Sequence, residues 1–274
     1  MATPDRNPQA KEMADESMVR NLAAQADAIW PQEEPIFLRH RLPAAPVILD
    51  VGCGTGEITA RLGAVYPHAT LIGIDVVESH LELARRRCTA LGDRVRFSTG
   101  DAYDLQFPAA SFDLVVCRHV LQAVPAPEQI LAELVRVARP GGVLHVIAED
   151  YDMIHAAPTR LDVARFWFEG PRAVGRATGT DLNIGRDVFT HLRRLPLDDI
   201  RVDHVVVDTL RVPRPTFAAI FEAWRDGYTE AAATHLGWSE ADVRAHFDAT
   251  IECIRDPDGY AVWFVPVWTA RVRT

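Results

Sequence analysis

The sequence predicts an α/β fold built on an open, mostly parallel sheet with helices on both faces. Three observations carry the prediction. Short, nearly continuous apolar runs (VILDV, TLIGID, FDLVVC and GGVLHVIAE) alternate with helical stretches along residues 47–149, and strands of that kind are buried on both faces. A glycine-rich turn joins the first of these runs to the first helix, as in a βαβ unit. The chain has 274 residues, 48% hydrophobic and 24% charged, an ordinary globular composition long enough to bury a core around such a sheet.

Residues 1–16 are rich in Pro, Asp, Asn and Gln and lack periodicity, so a mobile tail is expected there. From Ser17, a candidate N-cap, Met18, Leu22, Gln25, Ala26 and Ile29 share one helical face, and Pro31 is expected to stop the run. This helix and the Pro-spaced connector PIFLRHRLPAAP occupy residues 17–46, and the main domain spans 47–274. Strand VILDV leads to a helix from about Glu57 to Val65 and then to strand TLIGID. A helix near Ser79 to Leu91 has Ser79 and Glu82 at capping-box spacing. Strands VRFST and FDLVVC follow, then a helix from Pro127 to Ala138, an RPGG turn and strand GGVLHVIAE. The remainder reads as helices around 160–176 and 186–195, strand IRVDHVVVDTL, helices at 216–230 and 239–254, and a last strand YAVWFVPVWTARV. Two late strands divided by so much helix imply a helical insertion at about 213–257 between paired edge strands.

Charge and composition narrow the function. Lys+Arg 29 against Asp+Glu 38 leaves a net charge of −9, a field that repels polyanions and disfavours nucleic acid and anionic membrane surfaces as partners. No apolar run approaches the roughly 18 residues of a membrane span. The polar start MATPDRNPQAKE lacks the apolar region of a secretory signal, so a cytoplasmic location is expected. Cys53, Cys88, Cys117 and Cys253 are scattered with no C-x-x-C pair and read as free thiols. No feature of the sequence sets the oligomeric state.

The most informative stretch is ILDVGCGTGE, with Gly52, Gly54 and Gly56 on alternate positions between strand and helix. Glycine allows positive φ and lets a ligand approach the backbone. A dinucleotide fingerprint would place Gly or Ala where Glu57 stands. A carboxylate there opposes a pyrophosphate and suits a ligand carrying an ammonium or sulfonium group. Asp75, ending TLIGID, can accept from two ribose hydroxyls, which fits an adenosine moiety.

The ordered set ILDVGCGTGE, LIGID, GDAYDLQFPAASFDLVVC and ARPGG resembles class I S-adenosylmethionine-dependent methyltransferases, in the small-molecule branch that includes ubiquinone and menaquinone methylases. The resemblance covers roughly Val47 to Glu149. It implies S-adenosylmethionine as cofactor and a Rossmann-like seven-stranded mixed sheet of order 3-2-1-4-5-7-6, its last strand antiparallel. It also implies that Asp50, Gly52, Gly54 and Gly56 shape the methionine end, with Cys53 and Thr55 lending backbone groups. By the same resemblance Asp75 takes the ribose hydroxyls, Val76 lies on the adenine face, Asp101 accepts from the adenine amino group and the Ala102 backbone meets the ring. Arg118 and His119 would border the methionine and the reacting methyl.

Methyl transfer from a sulfonium is an in-line displacement, so the protein chiefly aligns the acceptor and excludes water. Where the acceptor must lose a proton, His119 is placed to serve as base. Glu149, Asp150, Tyr151, Asp152 and His155 invite a metal reading, but strand alternation splits the carboxylates between faces, so no metal is expected. Of the later aromatics most are core, while Tyr151, Trp167, Trp224 and Tyr228 are candidates to wall an acceptor pocket, with Arg186 as an anchor for an acidic group. The N-terminal helix and the insertion are expected to form a lid, since both are amphipathic and must bury a face. The reading is therefore methyl transfer to a small, cyclic or aromatic metabolite. The segment CRHVLQAV lacks the N/D-P-P-Y/F motif of nucleic-acid acceptors. Two alternatives stay open: a nicotinamide-dependent oxidoreductase on the same sheet, and a cofactor-binding protein that transfers no methyl.

Overall fold

A computed structural model of the chain describes residues 5–10 and 14–274. Part of the expected tail, residues 1–4 and 11–13, lies outside the described residues. The elements run α1 (Glu16–Leu38), β1 (Val47–Val51), α2 (Glu57–Val65), β2 (Thr70–Asp75), α3 (Glu78–Arg87), β3 (Val95–Thr99) and β4 (Phe112–Arg118). There follow α4 (Pro127–Val137), β5 (Ala138–Ile147), β6 (Ile154–Ala157), α5 (Val163–Thr178) and α6 (Val188–Leu192). The chain closes with β7 (Leu197–Asp208), α7 (Arg214–Leu236), α8 (Glu240–Arg255) and β8 (Tyr260–Val272). Among the described residues, no helix is long and apolar enough to cross a membrane.

Strands β3-β2-β1-β4-β5 are parallel, and β8 runs antiparallel beside β5. Residues Val267–Arg271 of β8 pair with β5 and Tyr260–Trp263 with β6, while β7 pairs along Val262–Val272. Strands β5 and β6 therefore share one edge of β8, and β7 takes the other. The sheet has eight strands, not seven: the expected 3-2-1-4-5-7-6 arrangement gains β6, whose four residues IHAA are too short for a periodicity to reveal. ARPGG also differs from expectation, since it is the start of β5, with Ala138 opposite Phe112 and a bulge after it, and not a turn.

Local signals misplace two helix starts. In α3 the Ser79/Glu82 capping box does not form; the helix begins at Glu78, and Asp75 Oδ1 accepts the Val77 N–H at 2.9 Å just before it. Helix α1 is capped by Asp15, which accepts from the Ser17 N–H at 2.8 Å, and not by Ser17. Nor does α1 stop at Pro31: it continues through Pro31 and Pro35 to Leu38. Interior prolines remove helical hydrogen bonds at a cost of about 3 kcal/mol. Packing of the last turns offsets this, because Ile36 and Phe37 are buried and Tyr66 Oη donates to the Phe37 carbonyl at 2.6 Å. The helix serves two cores, sending Met18, Ile29 and Ile36 into the cluster shared with α7, β7 and β8, and Ala26, Trp30 and Phe37 into the one around β1 and α2.

The same helix plants a charge in the interior. Glu33 on α1 is fully buried and faces Arg118 at the end of β4, whose Nε donates to Glu33 Oε1 at 2.9 Å while Nη2 lies 2.8 Å from Oε2. His145 of β5 reaches Glu33 Oε1 through Nε2 at 2.9 Å, and its Nδ1 lies 3.1 Å from His40 Nε2. Phe37 stacks on the His145 ring at 3.9 Å. Burial pushes the Glu33 carboxyl up, but Arg118 and His145 outweigh it and hold the group below its ordinary value. Burial likewise holds His145 below its ordinary value. A neutral His145 with Nε2–H toward Glu33 leaves Nδ1 to accept from His40.

Removing one partner of such a pair leaves a buried charge uncompensated, so Glu33→Ala should destabilise the fold by about 3–5 kcal/mol in urea unfolding. Because the Glu33 pKa is depressed in the fold, the pair's contribution is present above the ordinary value of 4.5 and is lost as pH falls through the folded value. Urea curves of the variant and parent that coincide at pH 7 would remove this role for Glu33.

Candidate active site

Residues 52–56 turn the chain from β1 into α2. Gly52 and Gly54 have φ of +70° and +51°, where a Cβ is strained, and a Cβ on Gly52 would also overlap Val120 Cγ2. The turn is clamped to the end of β2. Gly52 and Cys53 N–H groups donate to the Ile74 carbonyl at 2.8 and 2.9 Å, and the Gly54 N–H donates to Asp75 Oδ2 at 2.8 Å. Asp75 thus shapes the loop that it faces. A carboxylate has about four acceptor sites, so its two backbone bonds leave capacity for a ligand.

A cleft opens over this turn at the carboxyl ends of the strands, where ligands of open α/β sheets bind. Gly52, Gly54, Asp75, Val76, Ala102, Arg118 and His119 line it, with Val51 and Ile74 beneath. Leu22 of α1 and Asn7, Gln9 and Ala10 form the other wall. A recess continues it inward past Gly52, Arg118 and His119 to Asp50, Cys53, Thr55 and Glu57, with Gln25 of α1 on its side.

The recess is polar and buried. Asp50 Oδ2 accepts from Thr59 Oγ1 at 2.6 Å, and burial raises its pKa to about 6 against the opposing pull of Thr59 and Arg118. Thr55 Oγ1 is buried with no hydrogen-bond partner among the described residues. Burial pushes the Cys53 thiol well up, which leaves it a filler and not a nucleophile. Glu57 is raised by burial yet pairs with Arg87 Nη2 at 2.5 Å. Arg87 therefore offsets the charge that the sequence suggested would oppose a pyrophosphate.

His119 has φ +56°, uncommon for a residue with a side chain. Its N–H is anchored on the Ile147 carbonyl at 2.9 Å, and the ring stands with Nδ1 2.8 Å from Glu149 Oε1. Gln25 Nε2 donates to the same oxygen at 3.1 Å. Neither ring nitrogen makes a hydrogen bond among the described residues: the approach of Nδ1 to Glu149 is a close ionic contact, and Nε2 is buried beside it without a partner.

Two expected contacts lie off the walls. Gly56 lines neither the cleft nor the recess; a Cβ there would come within 2.9 Å of Ala84 on α3, so it serves helix packing. Asp101 stands at the rim, where Oδ1 accepts the Tyr103 N–H at 2.9 Å and Oδ2 lies 3.6 Å from Arg6. The segment before α1 is thus engaged at the cleft, and Gln9 is buried.

A second cavity, walled by aromatics, brings together Tyr151, Trp167, Trp224 and Tyr228 with Phe166 and Phe247. Tyr151 lies 5.2 Å from Trp224, ring centre to ring centre. Gln9 belongs to both this cavity and the cleft. Helices α7 and α8 line the aromatic cavity and not the glycine-loop cleft. Arg186 is not an anchor there. Asp150 is fully buried and requires a cation, and Arg186 Nε and Nη2 grip it at 2.7 and 2.6 Å, with Nη2 also 2.8 Å from Asp152. Among the described residues, no group of three or more His, Cys, Asp or Glu side chains is placed to hold a metal.

Sequence reasoning missed the contributions of α1. Glu33 continues the stripe of Met18, Leu22, Ala26 and Ile29 at helical spacing, but the intervening Pro31 reads as a stop. The part played by Glu149 beside His119 has no sequence signal, since 30 residues separate them and only the pairing of β4 with β5 joins them.

The Methyltransferase domain family matches residues 49–146, from β1 to β5. A demethylmenaquinone methyltransferase of Symbiobacterium thermophilum is 41% identical over 98 residues, 35% of this chain and 39% of that protein. The 27-O-demethylrifamycin SV methyltransferase of Amycolatopsis mediterranei is 29% identical over 204 residues, 74% of this chain and 70% of that one. The fold is shared with Haemonchus contortus phosphoethanolamine N-methyltransferase 2 in complex with phosphomonomethylethanolamine and S-adenosylhomocysteine, at 18% identity and TM-score 0.56, over 89% of this chain and 53% of that one. The chain spans 35%, 39% and 40% of the length of three curated relatives it matches. The clamped glycine turn, the strand order and these matches together support a class I S-adenosylmethionine-dependent methyltransferase domain, with residues 49–146 matching its family.

Proposed function

We propose that the chain binds S-adenosylmethionine in the glycine-loop cleft and transfers its methyl group to a small acceptor with a cyclic or aromatic face, held in the aromatic cavity. One observation carries the proposal: the two cavities share a wall residue. Gln9 lines both, and Glu149, the partner of His119, stands beside Tyr151, whose hydroxyl burial and Glu149 push well up.

The cleft fits the cofactor residue by residue. Asp75 would accept from the ribose hydroxyls, Val76 and Ala102 would flank the adenine, and Asp101 would take the adenine amino group in exchange for its Arg6 pair. At the methionine end Asp50, the orphaned Thr55 hydroxyl and Arg118 offer one cation-seeking and two donor groups. The bare backbone of Gly52 and Gly54 gives close approach, and Cys53 fills the turn. When bound, the cofactor supplies an electrophilic methyl on a sulfonium. The segment before α1 and the first turns of α1 cover the cleft, while α7 and α8 close the acceptor side, and both exclude water from the reacting atoms.

His119 is the candidate base. Its ring lines both the cleft and the recess, and with Glu149 Oε1 2.8 Å from Nδ1 the unpartnered Nε2 is the nitrogen left to accept a proton. Gln25 holds the Glu149 oxygen in place, so Glu149 and Gln25 are positioning residues.

Calorimetric titration should show saturable binding of S-adenosylmethionine and S-adenosylhomocysteine, weakened more than about tenfold in Asp75→Ala, which loses acceptors for the ligand as well as the loop clamp. A folded sample that gives no heat with either compound would refute the cofactor assignment. The same titration should depend on pH. Asp50 is neutral below its raised pKa of about 6 and attracts a cationic ligand only when ionised, so affinity should climb as pH rises through that value, and Asp50→Asn should flatten the profile. With acceptors ranked by methyl gain in mass spectrometry, hydroxylated ring compounds should outrank small aliphatic amines. For the best acceptor, Glu149→Gln should lower kcat by about ten- to a hundredfold with cofactor affinity unchanged. Parental kcat in that variant would exclude the His119–Glu149 pair.

A further inference from the structure

A second polar hollow, of about 400 Å³, opens where the end of α1 crosses β5, β8 and β7. It lies away from the cofactor side. Its wall residue Val143 is level with Leu114 near the start of β4, whereas the glycine-loop cleft opens around Arg118 at the end of that strand.

The sheet register explains what gathers there. Arg271 is opposite Val143, and Thr269 is opposite both His145 and Arg201, so these side chains share one face. A bulge in β7 is responsible for Arg201. Asp198 is opposite Arg271 and Arg201 opposite Thr269, three residues against two. The extra residue returns Arg201 to the face that simple alternation would deny it. Over the same face the chain leaving α1 delivers Arg39, His40 and Arg41.

Four guanidinium groups therefore line a space with one lining carboxylate, Asp199. Arg39 is answered by Asp203 at 2.5 Å, Arg271 donates to the Gly141 carbonyl at 2.9 Å, and Asp198 is engaged by Arg273 at 3.0 Å. Arg41 and Arg201 have no acid or hydrogen-bond partner among the described residues. The concentration of positive charge is felt by His40, whose pKa is pushed down to about 3, first by burial and then by His145, Arg271 and Arg39 around it. In a chain of net charge −9 such a corner is locally uncompensated, and converging like charges are relieved by an anion.

We propose that this hollow is a binding site for a small phosphate-bearing ligand, clasped by Arg41 and Arg201 with Arg271 and Thr269 beneath. Guanidinium forks match the geometry of phosphate oxygens and bind them bidentately. A small ligand is favoured over an anionic membrane because the overall negative charge of the chain opposes adsorption to such a surface, while a recess admits a single phosphate group.

The test is isothermal titration of the full chain with inorganic pyrophosphate at fixed ionic strength, in parent, R41Q/R201Q and Asp199→Asn. The substituted arginines are exposed and partnerless, and Asn tolerates the φ of +52° at position 199, so all three should fold and bind S-adenosylhomocysteine alike. Saturable pyrophosphate binding is expected in the parent, at least tenfold weaker in R41Q/R201Q and several-fold tighter in Asp199→Asn. Heats that are equal in parent and double variant, or that sodium chloride reproduces, would mean an adventitious ion only and overturn the site. Co-sedimentation of the parent with phosphatidic acid vesicles, lost in R41Q/R201Q, would overturn the small-ligand assignment in favour of a lipid headgroup.

Discussion

The structure turns on a buried charge pair. Glu33 of α1 and Arg118 at the end of β4 meet where both are sealed from water, and neither can be tolerated there alone. That pair fixes where α1 lies and holds the Arg118 guanidinium at the junction of the cleft and its recess. Everything α1 contributes to the cleft follows from it, because Leu22 and Gln25 stand on the turns before Glu33 and are carried to the cleft by the same rigid helix. An element that precedes the sheet in sequence is thereby part of its interior, with apolar residues in two separate hydrophobic clusters.

The pair also continues beyond the cleft. From Arg118 the hydrogen-bonded groups run through Glu33 and His145 to His40, which borders the arginine-lined hollow on the same face of the sheet, at the opposite end of the strands. The glycine-loop cleft and the basic hollow therefore lie at the two ends of one polar seam that runs between α1 and an otherwise apolar sheet face. Such a seam specifies a unique register for α1 against β4 and β5, because a slip of one turn would strand every member of it without a partner. The cost of burying the charges is offset by their mutual bonding and by the Phe37 ring stacked on His145.

On the cofactor side the backbone does much of the shaping. The glycine turn is held by Ile74 and Asp75 on β2, so the loop geometry and the acid lining the cleft come from one strand end. His119 is aimed by a left-handed backbone conformation and by Glu149 on the next strand. Relatives with this sheet act on different acceptors, and the fold alone does not select one. In this chain an aromatic cavity lined by α5, α7 and α8 stands beside the cleft, and Gln9 lines both.

Local pattern was sufficient for the parallel core. Apolar runs of strand length, the alternation with helices and the Gly52–Gly54–Gly56 turn are short-range properties, and they place β1, α2, β2 and the acid Asp75 without reference to anything distant. Local pattern misled where packing overrode propensity: Pro31 did not end α1, because burial of Ile36 and Phe37 outweighed two lost hydrogen bonds, and β6 was too short to announce itself. Arg186 looked like a ligand anchor because its obligation to buried Asp150 is set 36 residues away. The sequence by itself determined the sheet core, the cofactor-side turn and the aromatic residues available for an acceptor. Only the tertiary structure decided that Glu33 belongs to Arg118, that His119 belongs to Glu149, and that four arginines share one face, since each depends on register and burial between segments far apart in the chain.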